Sequence, residues 1–235
     1  MRYPSLACDY DGTLASGGRV DGTTLAALER LRATGRSLIL VTGRQASHLP
    51  ALFPRLDLFD RIVAENGAVL YRPVDGVERI LASPAPPALV RLLERRGVEP
   101  LSVGRCIVAT DLVRQTALLD AIGELGLDLR LSFNKGAVMA LPAGVDKASG
   151  LDAALAELGL RAHECVGIGD AENDGAFLAR CGCAVAVANA VEPLKAQADF
   201  VTYGSRGAGV TELIDRLLAD AVPACPIGAA RARGS

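Results

Sequence analysis

Asp9 and Asp11 stand one residue apart at the end of a short apolar run, in LACDYDGTLA (residues 6–15), and a Gly-Thr pair follows at once. Two further aspartates, Asp170 and Asp174, lie in GDAEND at the end of another apolar run, ECVGIGD. Carboxylates gathered at one place cannot all stay ionised without compensation, because each raises the pKa of the others. A divalent cation removes the conflict, and clustered carboxylate oxygens suit Mg²⁺. Asp9 can then serve both as a metal ligand and as a nucleophile. In a regular strand Asp11 would face the same way as Asp9. Gly12 lets the chain turn there, so Asp11 can address a leaving group instead. Thr42 and the backbone N–H of Gly43, in VTGR, offer hydrogen bonds to a phosphoryl group, and Lys147, in GVDKASGL, offers a positive charge to nucleophile and substrate.

For these groups to meet, the elements that carry them must be neighbours. Strand and helix signals alternate along most of the chain. SLACD, SLILVTG, RIVAENG and ECVGIGD are short apolar runs, the mark of strands buried on both faces. TTLAALERLRATG, KASGLDAALAELGL, DGAFLARCG and GVTELIDRLLAD have helical spacing. CAVAVANA and DFVTYGS read as further strands. Such alternation implies an α/β fold with a doubly wound parallel sheet. Ligands of such sheets bind beyond the carboxyl ends of the strands. Those ends carry DYDGT, TGR, ENG and GDAEND, and Lys147 opens a helix.

The middle of the chain breaks the alternation. PPALVRLLERRG, PLSV, RCIVATD, LVRQTALLDAIGELG, DLRLSFN and AVMALP read as α-β-β-α-β-β. Strands joined by hairpins are antiparallel and do not fit a parallel core. The expected organisation is a discontinuous core of residues 1–82 and 145–222, an inserted smaller α+β cap of residues 83–144, and a loose tail of residues 223–235.

In the order DYDGT, VTGR, the lysine of GVDKASGL and GDAEND, the chain resembles the haloacid dehalogenase (HAD) superfamily in its phosphatase branch. AENGA, VANAVEPLKAQADFVT and the α-β-β-α-β-β insert resemble its Cof-like, subclass IIB sugar-phosphatase group. Four segments in order, each after an apolar strand, are far more specific than any one of them. The resemblance implies a Rossmann-like core under a cap. It also implies Mg²⁺-dependent hydrolysis of a small phosphorylated metabolite through an aspartyl-phosphate. Asp9 attacks phosphorus; Asp11 protonates the departing alcohol and then deprotonates water. Asp9, the backbone carbonyl of Asp11, and Asp170 bind the metal, and Asp174 supports it directly or through water. Thr42 and Lys147 hold the phosphoryl group. Sugar phosphates, polyol or glycerate phosphates and phosphoglycolate all remain open as substrates. Phosphoryl transfer of the phosphomannomutase type, and a non-catalytic binding role on the same fold, are the alternatives.

Each residue also has a plainer reading. Thr42 alone is a possible helix N-cap ahead of RQASHL, Lys147 a solvated lysine, and Asn173 and Asp174 caps of the next helix. Arg44 and Asn66 belong at the rim, as substrate contacts or turn residues. Asn189, in VANA, resembles a family position near the phosphate. Arg105, Arg114, Asn134 and Lys135 are the polar candidates on the cap, although NKG is also turn chemistry. His48, His163 and Lys195 belong to no recognisable site. The thiols of CGC, Cys181 and Cys183, have no partner cluster and suit packing better than a metal.

Composition narrows the partners. A formal net charge of −2 provides no overall basic field for nucleic acid. No apolar run approaches the length of a membrane span, and no targeting segment is evident, so a cytoplasmic protein is expected. Oligomeric state is not legible in the sequence.

Overall fold

The computed structural model describes residues 2–134 and 136–222, so the tail expected at 223–235 and the candidate Lys135 lie outside the described residues. In chain order the first elements are β1 (Ser5–Asp9), α1 (Gly22–Ala33), β2 (Ser37–Val41), α2 (Leu49–Leu52), β3 (Arg61–Ala64), β4 (Val69–Arg72) and β5 (Val77–Ile80). Next come α3 (Pro87–Arg95), β6 (Leu101–Val103), β7 (Val108–Asp111), α4 (Gln115–Glu124), β8 (Leu129–Asn134) and β9 (Ala137–Pro142). The chain ends with α5 (Lys147–Leu158), β10 (Cys165–Gly169), α6 (Gly175–Arg180), β11 (Cys183–Ala186), α7 (Glu192–Gln197), β12 (Phe200–Val201) and α8 (Gly207–Leu218).

One sheet has eight strands in the order β12-β11-β10-β1-β2-β3-β4-β5. Its strands from β12 to β3 are parallel, each pairing with its neighbour in the same direction. Leu38 to Val41 and the residues of β10 are buried, as their continuous apolar runs require. The connections leave β1 in one direction through β2 and β3 and return on its other side through β10, β11 and β12. The strand order therefore reverses between β1 and β10. Such a switch point opens a crevice at the strand carboxyl ends, and Asp9 and Asp170 stand there.

The α/β alternation expected from sequence is present, with two differences. β4 and β5 form an antiparallel hairpin that extends the sheet past β3. Its outer strand is mostly exposed, with Val77 and Ile80 facing solvent, so it carries no buried apolar run for a sequence reading to detect. The strands read from CAVAVANA and DFVTYGS shorten to β11 and to the two residues of β12, because turn residues take up the rest.

A second sheet, antiparallel in the order β6-β7-β9-β8, packs with α3 and α4 around its own apolar cluster, which includes Leu89, Leu93, Leu118 and Val138. No helix among the described residues is long and apolar enough to cross a membrane.

Helix α5 starts on Lys147. Asp146 caps it: the Asp146 carboxylate accepts from the amide of Ser149 at 2.8 Å, and the Ser149 hydroxyl accepts from the amide of Asp146 at 3.0 Å. This reciprocal box fixes Lys147 as the first helical residue. Its helix then presses against the turn after β3. A Cβ on Gly150 would lie 2.4 Å from Val63 Cγ1 and 2.6 Å from the Cα of Gly67.

Replacing an interior helical glycine by alanine ordinarily stabilises by up to about 1 kcal/mol. Exposed Gly123 in α4, with nothing within 4 Å of its added Cβ, should follow that rule. Gly150→Ala should reverse the sign and destabilise by about 1–3 kcal/mol through overpacking. Urea unfolding of the two variants beside the parent measures both, and a stabilising Gly150→Ala would contradict the packing described.

Candidate active site

Asp9 closes β1 and is buried. The chain then folds into a tight turn in which the carbonyl of Tyr10 accepts from the amides of Leu14 and Ala15 and Gly12 takes φ 88°. That turn separates the two acids. Asp9 stays inside, whereas Asp11 is about one-third exposed and meets Arg44 in a bidentate pair, with Nε at 2.5 Å and Nη2 at 2.7 Å from its oxygens. The Arg44 guanidinium also lies 5.6 Å from the centre of the Tyr10 ring.

The centre of the site is an ion cluster. Lys147 is 1% exposed, and its Nζ donates to Asp9 Oδ1 and to Asp174 Oδ1, both at 2.6 Å. Asp174 Oδ2 accepts from the amides of Asp170 at 2.8 Å and Ala171 at 2.9 Å. Both oxygens of Asp174 are thus engaged by the lysine and the loop that carries Asp170. Asp170 Oδ1 accepts from the Thr13 hydroxyl at 3.1 Å, and Asn189 Nδ2 lies 3.4 Å from its Oδ2. Asn189 Nδ2 also donates to the carbonyl of Gly12 at 2.9 Å, and its Oδ1 accepts from the amide of Arg206 at 2.7 Å. Asn189 therefore ties the turn after β1 to the loops after β10 and β12.

Burial pushes the Asp9 carboxyl well above the usual carboxylate range; the charges of Asp174 and Asp170 add to the effect and Lys147 opposes it. Burial works against the Lys147 ammonium too, but the carboxylates of Asp174 and Asp9 outweigh it and hold the lysine charged. One oxygen from each of Asp9, Asp170 and Asp174 lies within 4.8 Å of the others. The Lys147 ammonium thus bridges two of three clustered, buried carboxylates. The donor set is hard oxygen and the cluster has charge to spare, which fits a divalent cation.

Thr42 follows β2 and is buried. Its amide donates to the carbonyl of Val63 at 2.8 Å, its carbonyl accepts from the amide of Asn66 at 3.0 Å, and its hydroxyl accepts from the amide of Arg44 at 3.1 Å. It caps no helix, since the next helical turn, Ala46–His48, starts after Gln45. Gly43 lies against the side chain of Asn66, whose Oδ1 is 3.3 Å from where a Cβ would stand.

Asn66 corrects the sequence reading. It was expected at the rim, but it is 2% exposed. Its Nδ2 donates to Met139 Sδ at 2.9 Å, and its Oδ1 accepts from Asn173 Nδ2 at 3.0 Å. Asn66 thereby joins β9 of the second sheet to the GDAEND loop. Of the surface candidates, Arg105 pairs with Glu78, Arg114 donates to the carbonyl of Glu99, and Asn134 ends β8. Cys181 and Cys183 are buried, and the Cys181 thiol donates to the carbonyl of Phe177, a packing role.

Sequence reasoning missed several residues around the cluster. A cavity of about 130 Å³ is lined by Asn66, Arg130, Ser132, Asp146, Lys147 and Asn173, among others. Arg130 and Ser132 alternate with leucines in DLRLSFN, and that polar face was the available signal. Thr13 and Glu65 carried none beyond their place in the motifs.

A family model described as haloacid dehalogenase-like hydrolase matches residues 6–93 and 118–214. The phosphoglycolate phosphatase of Methanothermobacter thermautotrophicus is 32% identical over 227 residues, covering 91% of this chain and 98% of that protein. The phosphoglycolate phosphatase of Aeropyrum pernix is 33% identical over 236 residues, covering 93% and 95%. Among solved structures, a haloacid dehalogenase-like hydrolase from Bacteroides thetaiotaomicron superposes with a TM-score of 0.79 at 21% identity, over 92% of this chain and 99% of that one.

Removing the lysine from the cluster leaves buried carboxylates without their ammonium. Lys147→Met should therefore destabilise the fold by about 3–5 kcal/mol at neutral pH. Chemical denaturation followed by circular dichroism measures the loss, and a variant as stable as the parent would show that the cluster is not a stabilising ion pair.

Proposed function

Since this chain belongs to the haloacid dehalogenase-like hydrolases, we propose that it is a phosphatase of small phosphorylated metabolites. The buried Lys147 bridge between Asp9 and Asp174, set beside Asp170, carries this reading. Its relatives named phosphoglycolate phosphatase support phosphoglycolate as the first substrate to test. A phosphorylated metabolite also suits a cytoplasmic enzyme. In this reading residues 83–144 form the cap over the core of residues 1–82 and 145–222.

Mg²⁺ would be held by Asp9, Asp170 and the backbone carbonyl of Asp11, where it supplies positive charge to the phosphoryl oxygens. Asp174 would serve that site through Lys147 and the amides of residues 170 and 171, since both its oxygens are engaged there. Asp9 attacks phosphorus and forms an aspartyl-phosphate as the alcohol leaves. Lys147 keeps one Asp9 oxygen oriented and offsets charge on the transferring group. The Thr42 hydroxyl and the Gly43 amide hold the phosphoryl oxygens.

Asp11 delivers the proton to the leaving oxygen and then takes one from the attacking water. A protonated Asp11 cannot accept two guanidinium bonds, so proton delivery requires Arg44 to let go. An incoming phosphoryl dianion supplies the competing partner. Arg44 thus links substrate arrival to release of the acid. Asn189 holds the turn that carries Asp11, and Asn66 backs the phosphate loop at Gly43.

Two substitutions separate the roles. Asp9→Asn should abolish Mg²⁺-dependent release of phosphate from phosphoglycolate and from p-nitrophenyl phosphate while leaving the circular dichroism spectrum unchanged. Asp11→Asn should lower kcat on phosphoglycolate by about 10²–10⁴-fold, as expected for a lost general acid. The aryl ester should suffer much less, because its leaving group departs without a proton. Equal losses on both esters would remove Asp11 from proton transfer. Asp170→Asn, titrated with Mg²⁺ by calorimetry, tests the metal site without turnover and should weaken binding by at least about tenfold.

A further inference from the structure

We infer that Glu65 is a positioning residue that anchors the second sheet over the catalytic carboxylates; this rests on the phosphatase reading above. Glu65 is 1% exposed. Its Oε1 accepts from the amide of Arg105 at 2.8 Å, and its Oε2 accepts from the amides of Cys106 at 2.9 Å and Ile107 at 3.3 Å. Those amides belong to the loop between β6 and β7, in the second sheet, whereas Glu65 follows β3 in the first. A carboxylate accepting several backbone N–H groups makes strong, charge-assisted bonds. The loop is shaped to receive it: a Cβ on Gly104 would lie 2.5 Å from Oε2 of Glu65.

The turn that presents Glu65 is held in a conformation other residues avoid. Glu65 has φ 51° and Asn66 φ 52°, both left-handed, and Gly67 follows at φ 104°. Such outliers persist when surrounding contacts over-determine them, and they concentrate where position matters to function. Here the contacts reach four parts of the molecule. Glu65 holds the β6–β7 loop, and Asn66 reaches Met139 in β9 and Asn173 in the GDAEND loop. Gly67 sits so close to the start of α5 that a Cβ there would lie 1.9 Å from the carbonyl of Asp146. One three-residue turn thus sets the second sheet against the same helix turn that carries Lys147.

The consequence is a division between substrates. Arg130 and Ser132 of β8 and Leu141 of β9 line one cavity with Lys147 and Asn173, so the anchored sheet walls the space beside the catalytic lysine, and a small alkyl phosphate such as phosphoglycolate should depend on it. An aryl phosphate, whose cleavage needs little enclosure, depends on it less. A merely structural bond would lower stability and leave the ratio of the two activities alone.

The test uses the full chain with Glu65→Ala and Glu65→Gln. In Glu65→Ala the amides of residues 105–107 should exchange with deuterium at least about tenfold faster, as local opening becomes easier. The KM for phosphoglycolate should rise about tenfold, while kcat/KM for p-nitrophenyl phosphate stays within about threefold, the pattern of lost substrate positioning. Glu65→Gln keeps one acceptor oxygen and should fall between parent and alanine in both readouts; it carries the test if the alanine variant does not fold. Unchanged exchange at residues 105–107 overturns the anchor. Faster exchange with equal effects on both esters, or none, overturns the positioning role. If the parent cleaves neither ester, the phosphatase reading fails, and the exchange measurement alone decides whether Glu65 anchors the second sheet.

Discussion

The buried ammonium of Lys147 is the interaction on which the rest of the site depends. A lysine at the first turn of a helix is opposed by the helix dipole, and burial opposes it further. It stays charged because Asp9 and Asp174 both lie at 2.6 Å from Nζ. Each partner comes from a different segment: the end of β1, the loop after β10 and the start of α5. Those segments cannot drift apart without stranding a charge in a place water does not reach. The cluster therefore fixes the geometry of the strand ends, and the chemistry inherits that geometry.

The same constraint explains the supports around the cluster. Lys147 is placed by the Asp146–Ser149 capping box, and the capped turn is pressed against Gly67 and Val63. Asp174 is held by the amides of its own loop, and Asp170 by Thr13 and Asn189. These bonds from uncharged donors orient the acids without cancelling their charge. Excess negative charge remains among Asp9, Asp170 and Asp174, and this is the property a divalent cation needs from its site.

The strand ends were legible in the sequence because burial on both faces leaves a continuous apolar run. The first polar residue after each run then marks the crevice. Asp9, Thr42 and Asp170 stand out for that reason, and Lys147 because it opens a helical pattern directly after the α+β insert. Asn66 and Glu65 were harder to read. Both sit after an apolar run like the others, yet their side chains turn inward to partners in β9 and the β6–β7 loop, far away in sequence. Nothing local to AENGA encodes those partners. The β4–β5 hairpin was hidden for a different reason: an edge strand exposed to solvent has no periodic apolar signature.

In the proposed mechanism the two acids of DYDGT divide two functions within one short stretch. Asp9 is enclosed, bound to an ammonium and surrounded by like charge, so it is fixed in place. Asp11 lies at the mouth, one-third exposed, and its partner Arg44 is equally accessible. A nucleophile benefits from immobility, since its reacting oxygen must meet phosphorus in a defined line. A proton carrier must instead change its hydrogen bonds between steps, which a solvent-accessible pair allows at little cost. The turn at Gly12 produces this difference, placing one carboxylate in the buried ion cluster and the other in a partly exposed pair with Arg44.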